Sequence, residues 1–228
     1  IKSVLRMKVG EELSISNGMD QKEYRCGIEE LGEEEVLCRI RFIKEADVEL
    51  PSKIYLFQGL PKGDKMEWII QKAVELGAYQ IVPVATRRAV VKLDSKKAEA
   101  KGKRWNAVAE SAAKQSGRMM IPKVSGVIGF SEACAMAGQL DCALIPYELA
   151  RDMGETREVL SRIRPGMQVG IFIGPEGGFD VEEVEEAKAA GLLPITLGRR
   201  ILRTETAGLA ALSLVMFEME AGQEWKHI

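Results

Sequence analysis

The chain of 228 residues has a formal net charge of −2 at pH 7, with 46% apolar and 29% charged side chains. This composition is typical of a globular protein of one or two domains. The sequence contains no run of about 18 uncharged apolar residues, which excludes a transmembrane helix, and no signal peptide is evident. Its one histidine, His227, argues against a Ser-His-Asp triad, a Cys-His dyad or a histidine-rich zinc site, and no metal is predicted.

The cysteines predict a reducing compartment. Cys26, Cys38, Cys134 and Cys142 show neither CxxC spacing nor a disulfide framework. They are typical of reduced, mostly buried thiols, so we expect a cytoplasmic protein. Since the first residue is Ile1 rather than Met, we also expect that some N-terminal residues precede it.

Charge is unevenly distributed along the chain. Residues 62–128 hold 14 basic and 6 acidic side chains, a net charge of +8, whereas residues 1–61 and 129–228 are both net acidic. A basic block inside a near-neutral chain is compatible with a face that binds a polyanion. Lysine-rich helix faces in contact with water would give the same count, so the residues alone leave both interpretations open.

The first 57 residues predict short strands separated by turns. The strand candidates are Tyr24–Ile28, Val36–Ile43 and Ile54–Phe57, and the pair Asn17-Gly18 is a strong hairpin signal. These elements predict a small β-barrel or sandwich of about 50 residues. Its boundary is expected near Pro51.

From Lys65 onward, helices are predicted to alternate with strands. Apolar side chains at positions i, i+3, i+4, i+7 and i+8 from Met66 predict an amphipathic helix that ends at Gly77. The remaining predicted elements are a strand at Tyr79–Val84, a helix over 96–116, a strand at Leu140–Pro146, a helix at Thr156–Ile163, a strand at Val169–Ile173, a helix from Asp180 to Ala190, a strand at Pro194–Leu197 and a helix at Ala207–Met219. This alternation predicts a largely parallel sheet.

Two polar loops follow the last two predicted strands. Residues 174–179 read GPEGGF, and residues 197–207 read LGRRILRTETA. Because ligands bind outside the carboxyl ends of strands in open α/β sheets, the loops predict one small-molecule pocket built largely from backbone groups. The first loop taken alone could equally be a tight turn between a strand and a helix. It is neither a P-loop nor a dinucleotide-binding fingerprint, since Gly-Lys-Ser/Thr and GxGxxG are both missing.

The second loop also concentrates positive charge. Arg199, Arg200 and Arg203 could steer an anionic substrate toward a pocket whose floor is Ile201 and Leu202. Surface ion pairs would account for each arginine equally well.

These loops and three upstream segments resemble the ribosomal RNA small subunit methyltransferase E family, of the SPOUT class. Besides IGPEGGF at 173–179 and LGRRILRTETA at 197–207, the matching segments are VLR at 4–6 with Gly-Glu at 10–11, GLPKGDKMEWIIQKAVELG at 59–77 and ESAAKQSGR at 110–118. At residues 87–89 the family tends to show Glu-Arg-Ser, so only Arg88 matches there.

The resemblance implies an α/β protein of two domains. Residues 1–52 would form a PUA-like RNA-binding β-barrel that lacks an early strand, and residues 53–228 a SPOUT methyltransferase domain. That domain would be a parallel sheet whose C-terminal part forms a trefoil knot. The implied protein is a homodimer that uses S-adenosyl-L-methionine to methylate N3 of one uridine in 16S rRNA of the small ribosomal subunit.

The resemblance also implies which residues form the site. The predicted cofactor contacts are Ile145, Pro146, Tyr147, Glu148, Ile173, Gly174, Pro175, Glu176, Gly177, Gly178, Leu197, Gly198, Ile201, Leu202, Arg203 and Thr204. The predicted RNA contacts are Arg6, Lys62, Arg88, Lys114, Gln115 and Arg118. Arg203 is the predicted catalytic residue, since it could stabilise an anionic base. The candidates for a general base are Glu148, Glu176 and Glu205, and none is compelling.

Two alternative functions remain. One is a SPOUT methyltransferase acting on another RNA site, and the other is a non-catalytic RNA-binding factor in ribosome assembly. The intact loops argue against the second, since a binding module would not need a cofactor pocket. Binding of S-adenosylmethionine and the identity of the modified nucleotide would distinguish these possibilities.

Overall fold

The computed structural model describes residues 1–91, 95–147, 150 and 152–220. These residues form two compact units. The first is Ile1–Glu49 with Ala113–Ile121, and the second is Leu50–Ala112 with the described residues from Pro122 onward. Within the described ranges, no helix is both long and apolar enough to cross a membrane.

The first unit contains a three-stranded antiparallel sheet. Its strands, in the order in which they pair, are β1 (Glu12–Ile15), β2 (Lys22–Leu31) and β3 (Val36–Glu45). The predicted turn lies between β1 and β2, where the Asn17 Oδ1 atom accepts the N–H groups of Met19 (2.9 Å) and Asp20 (3.1 Å). Gly18 has a φ of +73°, a conformation that other residues rarely adopt. This explains why the Asn-Gly pair marks the turn.

The second unit is built on a parallel sheet. The strands are β4 (Lys53–Gly59), β5 (Gln80–Ala85), β6 (Lys123–Val124), β7 (Ile128–Gly129), β8 (Cys142–Pro146), β9 (Gln168–Ile173) and β10 (Leu193–Ile195). The helices are α1 (Lys65–Glu75), α2 (Ser95–Gln115), α3 (Phe130–Ala137), α4 (Met153–Leu160), α5 (Val181–Ala189) and α6 (Thr204–Glu220). The strand order is β10-β8-β9-β4-β5-β6, with β7 also paired to β5, and every pair is parallel. The predicted parallel α/β sheet is confirmed.

The centre of this sheet is its most deeply buried part. Leu56 and Phe57 of β4 are fully buried, and Phe172 of β9 is 1% exposed. The rings of Phe57 and Phe172 stack with their centroids 4.4 Å apart. A strand covered on both faces reads as a continuous apolar run, so the sequence predicted both strands.

Several elements were not predicted, or were predicted with the wrong bounds. Strands β6 and β7 have only two residues each, too few for a hydrophobic alternation to be recognised. Helix α3 was also missed. Helix α6 begins at Thr204 rather than at Ala207, because its polar first turn carries no apolar periodicity.

The strand order determines where the loops meet. Strands β10, β8 and β9 are adjacent, and parallel strands place their carboxyl ends at the same edge of a sheet. The segments after these three strands therefore meet at one edge, where open α/β sheets bind ligands.

Candidate active site

A pocket of about 710 Å³ lies at this edge. Its walls come from the ends of β8 and β9, from the two polar loops and from the starts of α1 and α6. The lining residues are Lys65, Pro146, Tyr147, Ile173, Gly174, Pro175, Glu176, Gly177, Gly178, Phe179, Thr196, Leu197, Gly198, Arg199, Arg200, Ile201, Leu202, Arg203, Thr204 and Ala207. The two loops predicted to share a pocket do so.

Glycines allow the pocket walls to pack backbone against backbone. A Cβ atom on Gly59 would lie 2.7 Å from Pro175 Cδ and 2.8 Å from Pro175 N. A Cβ atom on Gly174 would lie 3.0 Å from the carbonyl carbon of Gly178, whose own φ is +66°. All three distances are shorter than ordinary van der Waals contact, so larger residues at Gly59 or Gly174 would push the loop out of place.

An ion-pair cluster holds the first loop at the pocket mouth. Lys65 Nζ lies 2.9 Å from Glu176 Oε1 and 3.5 Å from Glu205 Oε2, and the Lys62 N–H donates to Glu176 Oε1 at 3.1 Å. Burial alone would raise the pKa of Glu176, but the hydrogen bonds from Lys65 and from backbone N–H groups outweigh it and lower that pKa. The hydrogen bond to Glu176 likewise raises the pKa of Lys65.

Replacing Glu176 by glutamine is expected to lower the melting temperature in a pH-dependent way. A carboxyl group whose pKa is lower in the folded state stabilises the fold above its unfolded pKa, and this stabilisation is lost as pH falls through the folded pKa. The melting temperatures of wild type and Glu176→Gln should therefore differ most above about pH 5. They should converge only as pH falls through the folded-state pKa of Glu176, which lies below its ordinary value of 4.5. Differential scanning calorimetry at intervals of about one pH unit between pH 3 and 8 would measure both melting temperatures.

A matched control is Glu185→Gln, since Glu185 pairs with Lys188 at 2.8 Å but its side chain is 64% exposed. Exposed pairs contribute little, so this variant should melt close to wild type at every pH. A constant difference between wild type and Glu176→Gln across the range would contradict the assigned role of the ion pair.

The second loop gives the pocket a cationic rim. Arg199, Arg200 and Arg203 line the pocket and are exposed. Among the described side chains, no carboxylate forms an ion pair with any of the three. The rim is therefore positively charged and suited to an anionic ligand. Ile201 is 91% exposed, so the prediction that it forms the floor is wrong: it belongs to the rim.

The structure brings most of the predicted cofactor residues around this one pocket. Two exceptions are Ile145, which is fully buried in the core, and Glu148, which lies outside the described residues. The cofactor prediction omitted six lining residues: Lys65, Phe179, Thr196, Arg199, Arg200 and Ala207. Lys65 could have been predicted as a site residue, since it lies in the GLPKGDKMEW segment that resembles the family.

The predicted RNA contacts differ in accessibility. Arg6, Lys62, Lys114 and Gln115 are exposed. Arg88 is 43% exposed, and its guanidinium also holds the first loop, with Nη1 3.1 Å from the Gly177 carbonyl oxygen and Nη2 3.3 Å from Asp180 Oδ2.

The geometry contradicts the predicted RNA contact of Arg118. Its side chain is 6% exposed and pairs with Glu49, which is 5% exposed, at 2.6 Å. A guanidinium that is buried and already paired is not available to a phosphate. Arg118 is therefore a structural residue of the first unit.

Comparison with known proteins places the molecule in a class. A family model described as an RNA methyltransferase domain matches residues 48–216, and one described as an RNA methyltransferase PUA domain matches residues 1–41. The second unit with its pocket, preceded by a separate small sheet, is thus the architecture of an RNA methyltransferase that carries a PUA domain.

Named relatives specify the family. The chain is 39% identical to ribosomal RNA small subunit methyltransferase E of Bacillus subtilis, over 96% of this chain and 87% of that protein. It is 36% identical to the protein of that name from Mesomycoplasma hyopneumoniae, over 71% of this chain and 68% of that protein. The crystal structure of the Neisseria gonorrhoeae protein of that name, bound to S-adenosyl methionine, matches with a TM-score of 0.78 at 33% identity, over 93% and 85% of the two chains. The chain belongs to the ribosomal RNA small subunit methyltransferase E family.

Proposed function

We propose that this chain transfers a methyl group from S-adenosyl-L-methionine to N3 of a specific uridine in 16S rRNA of the small ribosomal subunit. Membership in the family supports S-adenosylmethionine-dependent methylation of ribosomal RNA. The observation that carries the methyl-transfer part of the proposal is the pocket itself, since the two family loops converge there beneath a rim of arginines. The choice of uridine N3 in 16S rRNA rests on the resemblance to the family.

The pocket fits the cofactor in size and chemistry. Its volume of about 710 Å³ lies within the range of small-molecule sites, about 300–1,000 Å³. Ile173, Phe179 and Leu202 supply apolar surface for an adenine ring, and the glycine loops supply backbone donors and acceptors at close range. S-adenosyl-L-methionine supplies a methyl group activated by its attachment to a sulfonium centre.

The reaction requires the protein to handle a negative charge. Uridine N3 is an imide nitrogen and becomes a good nucleophile only after it loses its proton. An exposed arginine that lines the pocket can stabilise the resulting anion, and we assign this role to Arg203. Enclosure of the reacting atoms by the loops would exclude water and hold N3 in line with the methyl carbon.

The structure narrows the candidates for a general base. Glu176 is held by Lys65, and its lowered pKa makes it a weak base. Glu205 lies outside the pocket lining. We therefore assign no described carboxylate as the proton acceptor.

The remaining predictions concern organisation. We propose that residues 1–52 act as the RNA-binding domain and residues 53–228 as the SPOUT domain with a trefoil knot, in a cytoplasmic homodimer. The family model of a PUA domain over residues 1–41 supports the first assignment. The basic block at residues 62–128, with Lys62 and Arg88 exposed, supports contacts to RNA phosphates.

Nucleoside mass spectrometry tests the proposal. Small subunits from a strain that lacks the enzyme would be incubated with the protein and S-adenosylmethionine carrying a labelled methyl group. We expect labelled 3-methyluridine at a single position of 16S rRNA. Label in another nucleoside would keep the methyltransferase and overturn the target. No label, with the cofactor bound, would favour a non-catalytic assembly factor.

A further inference from the structure

A buried series of hydrogen bonds connects the central strand β4 with two walls of the pocket. Gln58, the penultimate residue of β4, is fully buried and does not line the pocket. Its Nε2 atom donates to Thr204 Oγ1 and to the Gly59 carbonyl oxygen, both at 2.9 Å. Thr204 Oγ1 in turn donates to the Gly174 carbonyl oxygen at 2.6 Å. Thr204 and Gly174 belong to different loops and both line the pocket.

The donor and acceptor groups determine the direction of each hydrogen bond in this series. The carbonyl oxygens of Gly59 and Gly174 can only accept hydrogen bonds. The one hydroxyl proton of Thr204 is committed to Gly174, so Thr204 must accept from Gln58. Only the amide nitrogen of Gln58 can satisfy both neighbours, and this sets the orientation of its side chain.

Close packing supports the same contact. A Cβ atom on Gly208 of α6 would lie 3.7 Å from Gln58 Oε1 and 3.8 Å from Ile173 Cγ1. Both are ordinary van der Waals distances, so α6 packs in direct contact with Gln58 of β4 and Ile173 of β9 at this point. Gln58 and Thr204 are 146 positions apart in the sequence, so their bond links distant parts of the chain.

We infer that Gln58 is a positioning residue for the cofactor: its buried amide holds the start of α6 against the Gly174 loop before a ligand enters. The inference rests on the proposed function, since it takes this pocket as the S-adenosylmethionine site. Walls that are set in advance do not have to be ordered on binding, and this strengthens affinity.

The variant Gln58→Met tests the inference. Methionine is unbranched and of similar volume, so it fills the same space but donates no hydrogen bond. We expect it to bind S-adenosylhomocysteine about 10-fold to 100-fold more weakly in isothermal titration calorimetry, because the pocket walls are no longer held together. Saturating S-adenosylmethionine should favour the closed arrangement of the walls again, so the loss of turnover under that condition should be smaller than the loss of affinity.

The matched control is Gln168→Met, the same substitution at the start of β9. Gln168 Oε1 accepts a hydrogen bond from the Tyr55 hydroxyl at 3.0 Å, at the opposite end of the sheet from the pocket. It should leave the affinity for S-adenosylhomocysteine unchanged. Equal affinities of wild type and Gln58→Met would overturn the inference. Failure of the wild type to bind would instead overturn the proposed cofactor function.

The variant Gln58→Glu gives a second test, which holds even if the fold does not accept methionine at position 58. An ionised glutamate can only accept, so it would draw the Thr204 proton away from Gly174. A protonated glutamate can donate one hydrogen bond to Thr204, so Thr204 can again donate to Gly174. Because burial raises the pKa of a carboxyl group, we expect affinity to improve about fivefold between pH 8.5 and 5.5, relative to wild type. A pH profile parallel to that of wild type would contradict the positioning role.

Discussion

Replacing Arg203 by alanine is expected to lower the rate of methyl transfer at saturating cofactor by about 100-fold to 1,000-fold. Arg203 lines the pocket, its side chain is exposed to the ligand space, and none of the described carboxylates neutralises it. Its positive charge would act mainly on the uridine anion, which forms only as the reaction proceeds. The affinity for S-adenosylhomocysteine should therefore change by less than about threefold.

Single-turnover kinetics with labelled S-adenosylmethionine, combined with calorimetric titration of S-adenosylhomocysteine, would separate the two effects. Arg200→Ala is the matched control, because Arg200 lies on the same rim of the pocket. It should weaken RNA binding in a salt-dependent manner while leaving the single-turnover rate at saturating RNA close to wild type. A proportional loss of rate and cofactor affinity in Arg203→Ala would remove its proposed catalytic role.

The location of the pocket was predictable from the sequence because its determinants are local. GPEGGF and LGRRILRTETA each follow an apolar strand, and in a parallel sheet the carboxyl ends of all strands lie at one edge. The two strands were expected to be neighbours, but β8 lies between β9 and β10 and its own end adds Pro146 and Tyr147 to the pocket. The backbone of these loops builds most of the wall, so identifying the loops identified most of the lining.

The contacts that hold the pocket together were not predictable, since they join residues far apart in the chain. Gln58 lies in the apolar run of β4, and nothing near it in sequence indicates its bond to Thr204. Ile201 was placed on the floor because it is apolar, yet it is 91% exposed, since the loop that carries it faces outward among the arginines. Side-chain direction within an irregular loop has no periodicity from which it could be read.

Arg118 shows that a count of basic residues in the sequence does not reveal which of them are buried in ion pairs. Counting it within a basic block made it a candidate for RNA, but the fold pairs it with a carboxylate 69 positions away. Arg118 Nε lies 3.0 Å and Nη2 2.6 Å from Glu49 Oε2, while Glu49 Oε1 accepts the N–H groups of Met119 and Met120 at 3.1 and 3.2 Å. Both oxygens of the buried carboxylate are thus satisfied.

Replacing Arg118 by methionine is therefore expected to lower the free energy of unfolding by about 3–5 kcal/mol, because it leaves the charge of Glu49 buried without its partner. Urea unfolding followed by circular dichroism would measure the loss. The double variant Arg118→Met with Glu49→Leu should recover much of it, since replacing both charges by apolar groups removes the unpaired charge. Arg162→Met is the exposed control, since Arg162 pairs with Glu158 at 2.6 Å and both side chains are 66% exposed. It should lower the free energy of unfolding far less than Arg118→Met does. If Arg118→Met unfolded like Arg162→Met, the buried pair would not stabilise the first unit, and Arg118 would again be a candidate for RNA contact.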